Sequence, residues 1–260
     1  MISSAACLAS HAAVRSGKAE ADWISVSSTY EAGKPFQTAV RLVVDEGWHT
    51  YWKNPGEGGM EISVKWELPA GWTAGELEQP VPKRFMTGDL PGFGYEGTVV
   101  FPVKFTPPAG FTGAATLKGK ISWLTCNDAK CVPGDAELVI STQAGAATPS
   151  PEITTISEAL SKIPRPLPEV TLEVNEKSET LLLSLKNSSD KTFNPSEFEI
   201  FPETSQAVDA AASYTFVKEG DHWQAEVKRS EYLTPPLAGL TLVLAGKNGK
   251  SPFTISWKSE

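Results

Sequence analysis

Between residues 23 and 142, apolar and polar side chains alternate along the chain with a period of two. The pattern is clearest at 36–44, 99–105 and 117–123. Alternate residues of a strand face opposite sides, so the pattern places one face on a core and the other in water. Clusters of glycine and proline separate these stretches. Together they predict an antiparallel β-sandwich.

The same period returns after Pro168 and continues almost to the C-terminus. Candidate strands lie at 170–174, 181–185, 223–227, 240–244 and 253–257. The last two enclose Asn248-Gly249, and Asn-Gly is a strong signal for a tight hairpin. The two halves share a period but no repeated sequence, so we predict two different β-domains.

A segment of different composition separates the two β-domains. Residues 143–150 are small and polar and include one proline, which is the composition of a linker. Ser150-Pro151-Glu152 then fits the start of a helix, because serine is a preferred N-cap and proline is favoured at the first helical position. Apolar residues follow at helical spacing until Pro164, which predicts one short helix.

These patterns divide the chain into four parts. They are a disordered arm or export-signal remnant at 1–22, a first β-domain at 23–142, a linker and short helix at 143–164, and a second β-domain at 165–260.

Composition and charge narrow the class of protein. Hydrophobic residues make up 40% of the chain, and 31 acidic against 23 basic residues give a formal net charge of −8. This composition is typical of a folded globular chain. The negative charge disfavours binding to nucleic acid or to anionic membrane surfaces, because both rest on basic side chains. Eighteen consecutive apolar residues occur nowhere, so no bilayer-spanning helix is predicted.

Two of the three cysteines, Cys126 and Cys131, flank a polar insert that begins with Asn-Asp. Such an insert favours a turn, which would bring the two Cα atoms within disulfide distance. A disulfide closing so short a loop removes little entropy from the unfolded chain. The spacing therefore favours a redox-active pair, and it leaves a structural disulfide and a metal-binding pair open.

Two other chemistries for these cysteines have less support. Zinc or copper usually needs three or four Cys, His or Met ligands, and His11, His49 and His222 all lie far from the pair in sequence. A Cys-His hydrolase would not require two adjacent thiols, and no glycine-rich oxyanion loop precedes either cysteine.

An aromatic cluster at 48–52 is a candidate part of a site. Under strand alternation, His49 and Tyr51 face one side, and Trp48, Thr50 and Trp52 face the other. One set can fill the core while the other lines a surface site. Packing alone would account for at least some of these rings.

A second aromatic cluster lies in the glycine-rich segment 90–97. Glycines at 92, 94 and 97 predict a mobile loop that carries Phe93 and Tyr95. Apolar rings on a flexible loop usually contact something, although packing over a sheet edge would also explain them.

Taken in order, four motifs resemble the N-terminal periplasmic region of the thiol:disulfide interchange protein DsbD. The resemblance is strongest to its two-domain version, shared with the ScsB suppressors of copper sensitivity. The motifs are GWHTYWKNPGEGG, WELPAGW with PVPKRF, GYEG with VVFPVKF, and WLTCNDAKCVPGDAEL. They cover about residues 20–142, and the part after 165 matches more loosely. The resemblance implies an all-β fold of two immunoglobulin-like β-sandwich domains, the first of which carries the redox pair.

The resemblance also implies a role for each candidate residue. Cys131 would form mixed disulfides with partners, and Cys126 would resolve them. Phe93 and Tyr95 would form an aromatic cap that shields the pair, and His49 and Tyr51 would border it. Well-known members have five residues between the cysteines, whereas this chain has four, as do two-domain relatives.

The implied function is that of a periplasmic protein-disulfide reductase module that needs no cofactor. It would take electrons from a thioredoxin-like domain, itself served by a membrane domain, and pass them to thioredoxin-fold partners by thiol–disulfide exchange. The full-length protein would be tethered to the inner membrane. In the alternative hypothesis, the same cysteines are soft ligands of a copper-binding, sensor or interaction module.

Overall fold

The computed structural model describes residues 13–188 and 193–259, so Cys7 and most of the predicted arm lie outside it. The described residues form one α-helix, α1 (Ile153–Ser161), and a short 3-10 helix (Pro195–Glu197). The strands are β1 (Val14–Ser16), β2 (Ala19–Ser25), β3 (Thr29–Tyr30), β4 (Phe36–Val44), β5 (His49–Gly56), β6 (Ser63–Glu67), β7 (Thr73–Ala74), β8 (Lys83–Thr87), β9 (Leu90–Glu96), β10 (Thr98–Thr106), β11 (Ala114–Cys126), β12 (Cys131–Ala144), β13 (Arg165–Pro166), β14 (Val170–Glu176), β15 (Thr180–Asn187), β16 (Phe198–Pro202), β17 (Val217–Glu219), β18 (His222–Lys228), β19 (Gly239–Gly246) and β20 (Phe253–Lys258).

The C-terminal end of the predicted arm is ordered strand. β1 and β2 form an antiparallel pair with Val14 opposite Ala21, and Ala19 and Ala21 are fully buried. A disordered arm reaching residue 22 is therefore wrong for 14–22. The alternation in this segment rests on the small residues Ala19 and Ala21, which are weak signals of a strand in a sequence.

The chain forms two compact units. Unit 1 contains the residues up to 50, 62–79 and 96–160; unit 2 contains 51–61, 80–95 and the residues from 161 onwards. This division differs from the predicted one. Two internal segments of 23–142 have most of their neighbours in the C-terminal half, and spatial proximity of this kind leaves no trace in a linear pattern.

Unit 1 is built from two facing groups of strands. One is a five-stranded sheet in the order β1-β2-β4-β10-β7, and the other contains β3, β12 and β11, with β6 paired to β11. Rings from both groups meet in the core: the centroids of Trp66 and Trp23 are 5.0 Å apart, as are those of Trp66 and Phe105. The predicted sandwich is confirmed.

The segment after β12 is bound to unit 1 along its length. The Thr148 N–H donates to Ser27 Oγ at 3.0 Å. The Ser150 Oγ accepts from the Glu152 N–H at 3.1 Å, as expected of a serine near a helix start. Helix α1 then packs Ile156 against Ile24 and Ala39. The predicted helix is confirmed, and it has nine residues. In the described part of the chain, no helix is long and apolar enough to cross a membrane.

Unit 2 contains two four-stranded sheets, in the orders β13-β20-β19-β16 and β14-β15-β18-β17. Their alternating leucines and isoleucines form one core that includes Leu183 and Leu242, both fully buried. The predicted hairpin is confirmed as β19–β20. Asn248 and Gly249 have left-handed φ angles of 56° and 80°, and the turn that they form within the connection is closed by a bond from the Lys250 N–H to the Lys247 carbonyl at 3.2 Å. The fold is all-β, with immunoglobulin-like sandwich architecture.

Candidate functional site

The cysteine pair closes the longest hairpin of unit 1. Strands β11 and β12 pair antiparallel in continuous register from Ala114 opposite Gln143 to Cys126 opposite Cys131. The predicted pairing is present: a disulfide joins the two sulfurs, with the Cα atoms 4.0 Å apart. Such a short distance is characteristic of the closer of the two kinds of antiparallel residue pair. The ladder therefore ends with the two cysteines directly opposite each other.

The insert between the cysteines is a turn held by Asn127. Its Oδ1 accepts from the N–H groups of Ala129 and Lys130, both at 3.0 Å, and its own N–H donates to the Lys130 carbonyl at 3.0 Å. An asparagine that bonds the backbone two and three residues ahead stabilises a tight turn. These bonds do not involve either cysteine.

The two cysteines differ sharply in exposure. Cys126 is fully buried, whereas Cys131 is exposed at the start of β12. Cys126 lies within three adjacent strands, because Cys131 pairs with it on one side and His49 of β5 pairs with it on the other. A reagent too large to enter the core can therefore reach Cys131 and not Cys126.

His49 lies directly beside the disulfide. Residues directly opposite one another on antiparallel strands point to the same face with Cβ atoms about 4.5–5.5 Å apart, so His49, Cys126 and Cys131 form one row across β5, β11 and β12. His49 is only 6% exposed. Burial lowers the pKa of its imidazole below 6.5, although the carboxylates of Glu96 and Asp128 oppose this shift.

Two threonine hydroxyls and one glycine, none of them identified from the sequence, support the end of the hairpin. The Thr50 hydroxyl donates to the Leu124 carbonyl and the Thr125 hydroxyl to the Val132 carbonyl, both at 2.9 Å. Gly134 faces the buried Trp123 ring so closely that an added Cβ would lie 2.5 Å from it.

Phe93 and Tyr95 lie in a strand, which corrects the prediction of a mobile loop at 90–97. β9 pairs with β8, with Arg84 opposite Phe93 and Phe85 opposite Gly92. Gly92 serves close approach, since a Cβ there would lie 2.7 Å from the Phe85 ring. A glycine-rich segment can be a mobile loop, or it can be a strand that a neighbouring group approaches closely. The Phe85 ring beside Gly92 supports the second explanation here.

Both rings are buried within unit 2. Phe93 is 1% exposed and meets Phe201 edge-to-face, with the centroids 5.8 Å apart. The guanidinium of Arg84 lies 5.0 Å from the Phe93 centroid. The Tyr95 hydroxyl donates to the Pro80 carbonyl at 2.7 Å, and burial raises its pKa.

Tyr51 also belongs to unit 2, where its ring meets Phe85 edge-to-face at 5.6 Å. Burial raises the pKa of its hydroxyl. The predicted contrast between two faces of this strand is wrong, because His49, Thr50, Tyr51 and Trp52 are all at most 6% exposed. β5 is buried on both faces, a property that alternation of aromatic residues does not reveal.

No group of three or more His, Cys, Asp or Glu residues suited to a metal ion occurs among the residues that the structure describes. In the strand register, Cys126 is paired with Cys131 on one side and with His49 on the other.

Comparison with protein families identifies the part of the chain that carries this hairpin. Residues 19–143 match the family described as "Thiol:disulfide interchange protein DsbD, N-terminal". The match contains β11, all but the last residue of β12, both cysteines and His49. The resemblance that the four motifs suggested is thereby confirmed.

Solved structures extend the likeness in fold to almost the whole chain. The N-terminal periplasmic domain of ScsB from Proteus mirabilis has 17% sequence identity and a TM-score of 0.67, and the alignment covers 97% of this chain and 98% of that one. At this identity the likeness concerns the fold. The sporulation control protein Spo0M from Bacillus subtilis aligns at 12% identity over 94% and 91% of the two chains, with a TM-score of 0.25, too low to carry an argument. No curated protein matches the chain.

The DsbD family and the disulfide at the end of the hairpin fit a thiol:disulfide interchange module. The two cysteines also differ in exposure, since Cys131 is exposed and Cys126 is fully buried.

Proposed function

We propose that this chain is a periplasmic protein-disulfide reductase module that relays electrons through the Cys126–Cys131 pair. The observation that carries the proposal is the exposure of Cys131 beside a fully buried Cys126. Thiol–disulfide exchange proceeds through a mixed disulfide, so the chemistry needs one sulfur that a partner can reach and a second sulfur held next to it.

Reduction of the module begins at Cys131. A thiolate of a thioredoxin-like donor attacks the Cys131 sulfur, the Cys126–Cys131 bond breaks, and Cys126 leaves with the electron pair and takes up a proton. The second donor thiol then attacks the donor sulfur of the mixed disulfide and releases Cys131. The donor becomes a disulfide, and the module holds two thiols.

Delivery of the electrons reverses this order. The Cys131 thiolate attacks the disulfide of a thioredoxin-fold partner and forms a mixed disulfide. The Cys126 sulfur attacks Cys131, the partner leaves as a dithiol, and the Cys126–Cys131 disulfide is restored. Two electrons and two protons pass to the partner, and no cofactor takes part.

In the proposal, Phe93 and Tyr95 shield the reduced pair from oxidants, and Tyr51 borders it. The support is the resemblance of their motifs to the DsbD region.

Trapping tests the assignment of the two sulfurs. A Cys126→Ser variant, incubated with a disulfide-containing thioredoxin-fold protein, should accumulate a mixed disulfide through Cys131, because the resolving thiol is gone. The matched Cys131→Ser variant should trap nothing when both variants also carry Cys7→Ser, because the one remaining thiol, Cys126, is buried. Equal trapping by both variants, or by neither, contradicts the relay. Retention of one equivalent of copper(I) by the reduced chain without exchange would support the copper-binding alternative.

A further inference from the structure

The resolving step places an unusual demand on Cys126. After Cys131 has joined a partner, the Cys126 thiol must lose its proton to attack, since the thiolate is the nucleophile. Cys126 is fully buried, and a thiol in apolar surroundings ionises less readily than a free cysteine. The hairpin therefore needs a proton acceptor that is itself inside the sheet.

His49 occupies the position from which a side chain can meet this demand. It pairs directly with Cys126 across β5 and β11, so both side chains project to one face at neighbouring positions. The imidazole is almost fully buried, which keeps water from serving in its place. The strand register alone brings the two groups together.

We infer that His49 is the general base and acid of the exchange at Cys126, a step that rests on the proposed function. In resolution, the neutral imidazole takes the Cys126 proton as the Cys126 sulfur attacks Cys131 and the partner thiolate leaves. In reduction of the module, the imidazolium returns a proton to the departing Cys126 thiolate. The proton moves between the Cys126 sulfur and a nitrogen of the imidazole, and the electron pair of the broken S–S bond goes to the departing sulfur, so each step balances.

The surroundings of His49 suit both directions. Burial lowers the pKa of the imidazole, so the neutral form is present at pH 7 and can accept a proton. The carboxylates of Glu96 and Asp128 are among the groups that act on the ring, and both favour its protonated form. They stabilise the transient imidazolium after proton transfer. Asp128 belongs to the turn between the cysteines and is thus carried by the same hairpin.

A two-phase reaction with an aromatic disulfide reagent isolates the step. In the full chain carrying Cys7→Ser, dithiobis-nitrobenzoate should release one coloured thiolate as Cys131 attacks and a second as Cys126 resolves. We expect His49→Gln to slow only the second phase, by about 100-fold at pH 7, the scale of general base catalysis. The control His222→Gln, changed on β18 of unit 2, should leave both phases unchanged.

The pH dependence separates a base from a packing residue. In the parent protein, the rate of the second phase should rise with pH as the His49 ring loses its proton and should then level off. NMR of the same protein would follow the titration of the ring. In His49→Gln it should continue to rise above neutral pH, because only ionisation of Cys126 itself then supplies the thiolate.

The outcomes distinguish the two ideas. If the parent releases only one thiolate and stays a mixed disulfide, the proposed function fails. If it releases two, and the second phase does not follow the ring titration or is unchanged in His49→Gln, the role of His49 is overturned while the relay stands.

Discussion

Arg84 is expected to hold the β8–β9 hairpin, which carries Phe93 and Tyr95, within unit 2. Its Nη1 donates to the Ala210 carbonyl at 2.9 Å and its Nη2 to the Ile200 carbonyl at 2.8 Å. The guanidinium also lies 5.0 Å from the Phe93 centroid and 5.1 Å from the Phe201 centroid. One planar cation thus joins two carbonyls and two rings, which a lysine cannot reproduce.

The free energy at stake follows from these contacts. A hydrogen bond from a charged donor contributes about 1.5–3 kcal/mol, and a cation–π contact at a partly exposed site about 0.5–1 kcal/mol. Because the Arg84 side chain is 32% exposed, water replaces part of what is lost, and we discount the sum by roughly half. Arg84→Ala should then lower the free energy of unfolding by about 3 kcal/mol, and Arg84→Lys by about half as much.

Urea unfolding and backbone hydrogen exchange would measure this effect. Exchange should accelerate in β8 and β9, and the unfolding midpoint should fall. The matched control is Arg15→Ala, because Arg15 is 59% exposed and forms surface ion pairs with Asp45 and Glu20, each worth about 0–1 kcal/mol. Equal midpoints for the Arg84 and Arg15 variants would refute the reasoning that the guanidinium holds this hairpin.

Three further changes test the site. Gly134→Ala should destabilise unit 1 by about 1–3 kcal/mol in urea unfolding, because its Cβ would meet the Trp123 ring at 2.5 Å. Because the pKa of His49 is lowered in the folded protein, the unfolded chain takes up a proton at higher pH than the folded one. The free energy of unfolding should therefore be greatest above pH 6.5 and fall as pH falls through the folded pKa. His49→Gln should flatten this part of the plot of unfolding free energy against pH. Replacing Phe93 and Tyr95 together with Ala should speed oxidation of the reduced pair by diamide if these rings shield it.

The first two changes have control variants, and the third has an outcome that would contradict it. Gly110→Ala meets no atom within 4 Å, so a loss of stability equal to that of Gly134→Ala would show that side-chain crowding is not the cause. His222→Gln should keep the acid limb that His49→Gln loses. An unchanged diamide rate in a folded Phe93→Ala, Tyr95→Ala variant would make the two aromatics ordinary packing residues of unit 2.

Local signals in the sequence were sufficient wherever neighbours along the chain decide the structure. Alternation predicted the strands at 36–44 and 117–123, and Asn248-Gly249 predicted the β19–β20 turn because a tight hairpin needs two residues that accept left-handed backbone. The polar insert after Cys126 predicted the turn that Asn127 holds. In all of these cases, the deciding interactions span a few residues.

Contacts between distant segments decided the rest. The pattern at 90–97 is equally compatible with a mobile loop and with a strand, and its antiparallel pairing with β8 made residues 90–96 a strand. Likewise, two identical residue types at Cys126 and Cys131 acquired different exposures because β5 pairs with one side of Cys126. The sequence by itself determined which residues could carry thiol chemistry; the pairing of β5 with β11, set by strands far apart in the chain, determined that one thiol is enclosed beside a histidine and the other is open to a partner.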